Sequence, residues 1–201
     1  MIELYWRPET VADVVAMALR IIGVEHRIVT VGEDVTEEEY LRINPAGTVP
    51  AMVEGDLVLF ESVAILEYLE ERHPTPALLP ADARLRATTR QWMLAAGDYL
   101  LGPFHRWLAR FFNPETVDQA DVERAREDIA RHLDVLEKVL DGRDHLTGSF
   151  SLADVCYAPF ACELETAQLG ALLAERPRVR AWTARLNARP SIQASRPAPP
   201  S

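Results

Sequence analysis

Between His73 and Pro80 the chain reads His-Pro-Thr-Pro-Ala-Leu-Leu-Pro, and this run limits the fold more than any other stretch. Proline supplies no amide donor and fixes its own φ, so neither a long helix nor a central strand can cross it. Residues 74–81 therefore read as a linker. The patterns on its two sides differ. Residues 1–73 alternate short apolar runs with short helical stripes, whereas residues 82–201 carry helical spacing alone. The 201 residues divide into a small mixed unit and a larger all-helical one.

In the first unit, residues 2–6 form a short apolar strand, followed by the loop Arg7-Pro8-Glu9. Thr10-Val11-Ala12-Asp13 has the spacing of a capping box, and Val14, Val15, Met17, Ala18 and Ile21 supply a helical apolar stripe up to Gly23. Residues 26–31 alternate as a second strand. Residues 36–42, with their acidic first turn, predict a short helix. Residues 51–53 and 57–60 flank Glu54-Gly55-Asp56, a hairpin signal. A further helix opens at Glu61 and Ser62, with Ser62 as its N-cap and Val63, Ile65, Leu66 and Leu69 as its apolar side. The order βαβαββα implies a mixed sheet with helices on its faces, the arrangement of a thioredoxin-like module.

In the second unit, residues 82–112 read as one long helix with a kink at Gly102-Pro103, closed by Asn113-Pro114. Residues 117–140 carry Val122, Ile129, Leu133, Leu136 and Leu140 on one face. Ser151-Leu152-Ala153-Asp154 is a second capping box, opening a helix that a kink at Pro159 would bend. Residues 196–201, Arg-Pro-Ala-Pro-Pro-Ser, have nothing to bury and read as an extended or disordered tail.

Charge narrows the function. Lys and Arg number 21 against 31 Asp and Glu, a net charge of −10 that argues against nucleic acid or an anionic membrane surface as partner. No apolar run approaches the roughly twenty residues of a membrane span. The start runs directly into a strand without a signal-peptide pattern, so a cytoplasmic location is expected. Cys156 and Cys162 lie six apart on one helix, too far apart to bridge, and read as small core hydrophobes. The five histidines are dispersed without ligand spacing, so no metal is expected.

Chemistry concentrates between Asn44 and Leu69. Pro50 belongs at a strand start, an edge or a bulge. A cis Val49-Pro50 bond would leave the Val49 backbone free for a ligand, and the residues alone leave cis and trans open. The run Leu41-x-x-Asn44-Pro45-x-Gly47-x-Val49-Pro50, followed by Glu61-Ser62-x-Ala64-Ile65-x-x-Tyr68-Leu69, resembles the glutathione transferase superfamily. Leu146-Thr147-Gly148-x-x-Ser151-Leu152-Ala153-Asp154 and Arg178-Val179-x-x-Trp182-x-x-x-Leu186-x-x-Arg189-Pro190-Ser191 extend the resemblance over essentially the whole chain. It implies a thioredoxin-like N-terminal domain, an all-α C-terminal domain and a cis Pro50. It also implies glutathione as co-substrate, its cysteinyl part paired with the Val49 backbone and its γ-glutamyl head held by Glu61 and Ser62. A homodimer acting on a small hydrophobic or anionic electrophile, as in detoxification, is implied as well.

The segment after the first strand departs from the family. Its members activate the thiol there with a Tyr, Ser or Cys. The serine position falls at Glu9 and the cysteine position at Val11, so neither matches. Thr10 is the best substitute donor, in competition with a structural role as helix cap, and nearby amides could serve the sulfur instead. Tyr5 reads as packed in its strand, and Arg7 is a candidate positive charge. Thiol redox chemistry is nearly excluded, because no cysteine stands at this helix start. A histidine that some branches use for the glycyl carboxylate falls at Gly47, leaving Arg42 as an alternative. His105 and Arg106 are candidates for binding an anionic second substrate, and Tyr99, Phe104 and Trp107 crowd the same helix. Two other readings stay open: a catalytically silent binding or regulatory protein on this fold, and a glutathione-dependent cis-trans isomerase of maleylacetoacetate type.

Overall fold

A computed structural model describes residues 1–8, 10–112, 114–164 and 166–194. Glu9 and the tail expected over 196–201 lie outside the described residues. The described residues form two compact units: one comprises Met1–Leu78 and the segment from Ser191, the other Leu79–Pro190.

In the first unit the strands are β1 (Ile2–Trp6), β2 (His26–Thr30), β3 (Ala51–Glu54) and β4 (Leu57–Phe60), in the order β2-β1-β3-β4. β1 and β2 run parallel; β3 lies antiparallel to both β1 and β4. Helices α1 (Ala12–Ile22), α2 (Glu37–Ile43) and α3 (Ser62–Arg72) connect them. Side-chain alternation along a strand divides the core into two layers. Ile2 and Leu4 of β1 and Met52 of β3 pack with Val15 and Leu19 of α1 and with Ile65 and Leu69 of α3. Tyr5, Val29, Val31 and Ala51 face the other way, onto Tyr40 of α2.

Two helix starts differ from what the spacing predicts. Thr10 does not cap α1. Val11 holds the N-cap position without a side-chain bond, and Asp13 instead accepts from the Trp6 indole at 2.7 Å. Thr36 does cap α2, and its partner Glu39 completes the box. At α3 Ser62 is the first helical residue rather than the cap. Glu61 precedes it with φ 71° and ψ 113°, and no side chain caps the turn.

The second unit is helical: α4 (Ala83–Ala96), α5 (Gly102–Phe112), α6 (Gln119–Val139), α7 (Leu152–Glu163) and α8 (Pro177–Ala188); the short α9 (Pro190–Gln193) starts at this unit's last residue. The interruption expected at Gly102-Pro103 is a π turn over Gly97–Leu101. Pro103 has no amide, and its ring crowds the carbonyl four residues back. The wider turn, with its Gly102 N–H bonded to the Gly97 carbonyl, sits directly ahead of it. Asp154 is fully buried and accepts from the amides of Leu146 and Ser151 and from the Trp182 indole, tying the start of α7 to α8. No helix among the described residues is long and apolar enough to cross a membrane.

Burial also fixes the state of several titratable groups. Cys156 is inside α7, and burial pushes its thiol well up. His132 of α6 is 7 % exposed, accepts or donates at 2.9 Å with the Tyr157 hydroxyl, and is pushed down to about 4 by burial. An unfolded histidine titrates near 6.5. Between those values the unfolded chain binds the proton that the folded chain refuses, so stability falls as pH drops from about 6.5 toward 4. Urea unfolding followed across that range should show this site contributing a loss of about 2–3 kcal/mol. His132→Gln should remove that part of the slope; an unchanged slope would contradict the assignment.

Candidate functional site

Strand register assembles the site. Tyr5 of β1 pairs with Ala51 of β3, and Ala51 pairs with Phe60 of β4. Beyond these partners, at the same end of the sheet, come the loop after β1, the Val49–Pro50 peptide and the Glu61–Ser62 corner. Adjacent strands stand about 4.8 Å apart, so Thr10's loop, Pro50 and Glu61 share one small neighbourhood. Strand carboxyl ends of mixed and parallel sheets are common ligand sites.

The Val49–Pro50 bond is cis. Among the described residues no backbone hydrogen bond engages the Val49 amide or carbonyl outside the strands, and Val49 itself lies outside them. Across from it, Glu61 takes a positive φ without being glycine. Such backbone costs on the order of 1–3 kcal/mol and persists where the surrounding structure holds it, often at ligand sites. The first bond of α3 runs from Ile65 N–H to the Glu61 carbonyl, which leaves the earlier first-turn amides outside the helical ladder. Those amides and the helix dipole favour an anion, while the Glu61 carboxylate favours a cation. A zwitterionic α-amino-acid head matches the pair.

At the third corner Thr10 donates its hydroxyl to the Arg7 carbonyl at 2.7 Å and accepts the Ala12 amide at 3.3 Å. Donation to a sulfur would require that first bond to be exchanged. Arg7 itself is paired with the exposed Glu37. Tyr5 is packed against Tyr40 at 5.7 Å, and burial pushes its phenol up, which keeps it protonated. Gly47 offers no free amide: its N–H is donated to the Asn44 carbonyl, and its φ of 68° and the Leu41 side chain 3.3 Å from a Cβ favour glycine there. Arg42 is exposed and pairs with Glu38 one turn earlier on α2.

The helical unit has an open groove of about 740 Å³, lined by Trp92, Tyr99, Arg106, Asp128, Arg131 and His132 among others. Arg106 contributes to it, but His105 is not among its lining residues. Consecutive helical residues point about 100° apart, which separates the pair that the sequence groups together. Asp128 pairs with both Arg106, at 3.2 Å, and Arg131, at 3.1 Å, so one carboxylate is shared between two of the groove's cations. Among the described residues no group of three or more His, Cys, Asp or Glu is arranged to hold a metal.

Tyr40 and Asn44 carry a role that the sequence reading missed. Both donate to the Thr48 carbonyl, at 2.6 and 2.7 Å. The only signal was a tyrosine and an asparagine at the end of a short helix, just before the proline loop.

The profile of the glutathione S-transferase N-terminal domain matches residues 10–77, and that of the C-terminal domain matches residues 104–190. Glutathione S-transferase 3 of Zea mays is 34% identical over 207 residues, covering 92% of this chain and 90% of its own. The structure of a glutathione S-transferase III in apo form superposes with a TM-score of 0.85 at 30% identity, over 99% of each chain. A glutathione transferase from Burkholderia graminis, with two glutathione molecules bound per subunit, gives a TM-score of 0.84 at 28% identity, over 96% of this chain and 86% of its own.

The Glu61 backbone provides a test of its own. Glycine adopts that φ without a Cβ penalty. Glu61→Gly should therefore gain about 1 kcal/mol, raising Tm by roughly 2–4 °C, while Glu61→Ala gains nothing. Differential scanning calorimetry on both variants decides it, and no gain with glycine would contradict stored strain.

Proposed function

The chain belongs to the glutathione S-transferase family, and on that premise we propose that it binds glutathione at this sheet end and conjugates it to a small electrophile. The observation that carries the reading is the register that sets Val49–Pro50 beside Glu61–Ser62. The extended tripeptide lies along Val49, exchanging backbone hydrogen bonds with it as an added strand would. Its γ-glutamyl carboxylate lies on the first-turn amides of α3 and the Ser62 hydroxyl, and its ammonium on Glu61. Glutathione is the bound group of the Burkholderia graminis relative, which supports this ligand.

Conjugation needs thiolate at neutral pH, and a free thiol near pKa 8.5 must be shifted down by donors. Thr10 is the side chain we assign to this, by exchanging its bond to Arg7 for one to the sulfur, with the adjacent amides of α1 as further donors. The protein's share of the reaction is positioning plus stabilisation of the thiolate. The second substrate is a small hydrophobic or anionic electrophile, with Arg106 of the groove as a candidate contact. We infer a cytoplasmic homodimer from the family resemblance.

The Thr10–Arg7 bond also favours a second reading. A hydroxyl proton already committed, with Val11 at the family's cysteine position, suits a protein that binds glutathione without turning it over. The isomerase reading has only Thr10 in its support.

Glutathione at a hundredfold excess over its Kd should add about 2.7 kcal/mol, raising Tm by about 5 °C or more. No shift at millimolar glutathione would overturn binding. In an aryl-halide assay Thr10→Ala should lower kcat about tenfold and leave the glutathione Kd within about twofold, as the loss of one charge-assisted donor implies. Binding without turnover by the wild type would favour the silent protein, and equal rates in both would remove Thr10 from the chemistry.

A further inference from the structure

We propose that Tyr40 and Asn44 are positioning residues for the glutathione site, which aim the Val49 amide by gripping the oxygen on the opposite edge of the same peptide. The inference rests on the reading above and deepens it. A peptide unit is planar, and in its trans form the C=O and N–H point in opposite directions. Among the described residues the cis bonds are Val49–Pro50 and Thr75–Pro76, so Thr48–Val49 is trans. The Thr48 oxygen is held by the Tyr40 hydroxyl at 2.6 Å and by Asn44 Nδ2 at 2.7 Å. With that oxygen drawn toward two buried donors, the Val49 N–H must face the other way.

Both grips are rigid. Tyr40 is 0% exposed and stacks on Tyr5, which the sheet pairs with Ala51. Burial pushes the Tyr40 phenol up, so it remains a donor through neutral pH. Asn44 is also 0% exposed, and its other atoms are used to shape the loop. Its Oδ1 accepts the Ala46 amide at 3.1 Å and its carbonyl accepts the Gly47 amide at 2.9 Å. Tyr40 and Asn44 stand four apart, on one face of the end of α2. That face therefore sets the direction of the backbone donor which the tripeptide's cysteinyl carbonyl would meet. Neither side chain touches glutathione; each acts through Thr48.

Titration calorimetry with reduced glutathione tests this on Tyr40→Phe, which removes one hydroxyl and keeps the ring. Losing one hydrogen bond that orients the donor should raise Kd about threefold to tenfold. At saturating glutathione kcat should stay within about twofold, so the effect falls on KM. Asn44→Ala should act in the same direction, and Tyr40→Phe alone decides the matter should that variant not fold. Amide hydrogen exchange supplies a readout that a merely structural role would not move. Glutathione should protect the Val49 amide in the wild type and protect it less in Tyr40→Phe. An unchanged Kd and unchanged Val49 protection, with only Tm lowered, would overturn the proposal and leave glutathione binding standing. Absence of binding by the wild type would overturn the functional reading, and this inference with it.

Discussion

Everything at the site depends on one antiparallel register, in which Ala51 is flanked by Tyr5 on β1 and Phe60 on β4. Residues far apart in sequence, Thr10, Val49 and Glu61, are one to five positions beyond those three partners. Once the pairing is made, they share one sheet end. The pairing is in turn specified by burial. A slip of one residue would move Ile2, Leu4 and Met52, all nearly unexposed, to the opposite face of the sheet. Hydrophobic burial thus fixes not only the fold but the spacing of the groups that would meet a ligand.

The same sheet end is where local rules are broken. Glu61 holds a backbone region that favours glycine, α3 begins without a side-chain cap, and Val49 lies outside the ladder. Elsewhere many local rules are kept, although Gln168 also takes a positive φ and α8 also starts without a bond from its own N-cap side chain. Thr36 and Glu39 complete a capping box, Asp82 and Asp118 cap α4 and α6, and Asp154 satisfies three donors in the core of the helical unit. Such departures gathered at one sheet end are what a binding site requires.

Much of this was legible in the residues, and the reasons differ by element. Strand β1 was readable to the residue because four apolar residues among five stand just ahead of the Arg7-Pro8 break, and α2 within one residue because its acidic turn is local. The helix starts at Thr10 and Ser62 were misread because a favourable capping residue is only a local preference, and at Thr10 competing side-chain bonds displaced it. Thr10 turns to Arg7, and Asp13 is taken by the Trp6 indole. Nothing in the letters Phe60-Glu61-Ser62 announces a positive φ, which falls between β4 and α3. The kink expected at Gly102-Pro103 lies a few residues past the π turn, since Pro103 marks where a donor is missing and the backbone adjusts ahead of it. His105 and Arg106 were grouped as neighbours in sequence, whereas a helix turns them apart.

The central claim is that the Val49 backbone and the Glu61–Ser62 corner together form the seat of a tripeptide. A crystal structure of the protein soaked with reduced glutathione tests it most directly. The account predicts paired hydrogen bonds between the cysteinyl backbone and Val49, with the γ-glutamyl carboxylate on the first amides of α3 and its ammonium near Glu61. Glutathione bound elsewhere on the chain, or a Val49 amide still unengaged at full occupancy, would contradict it.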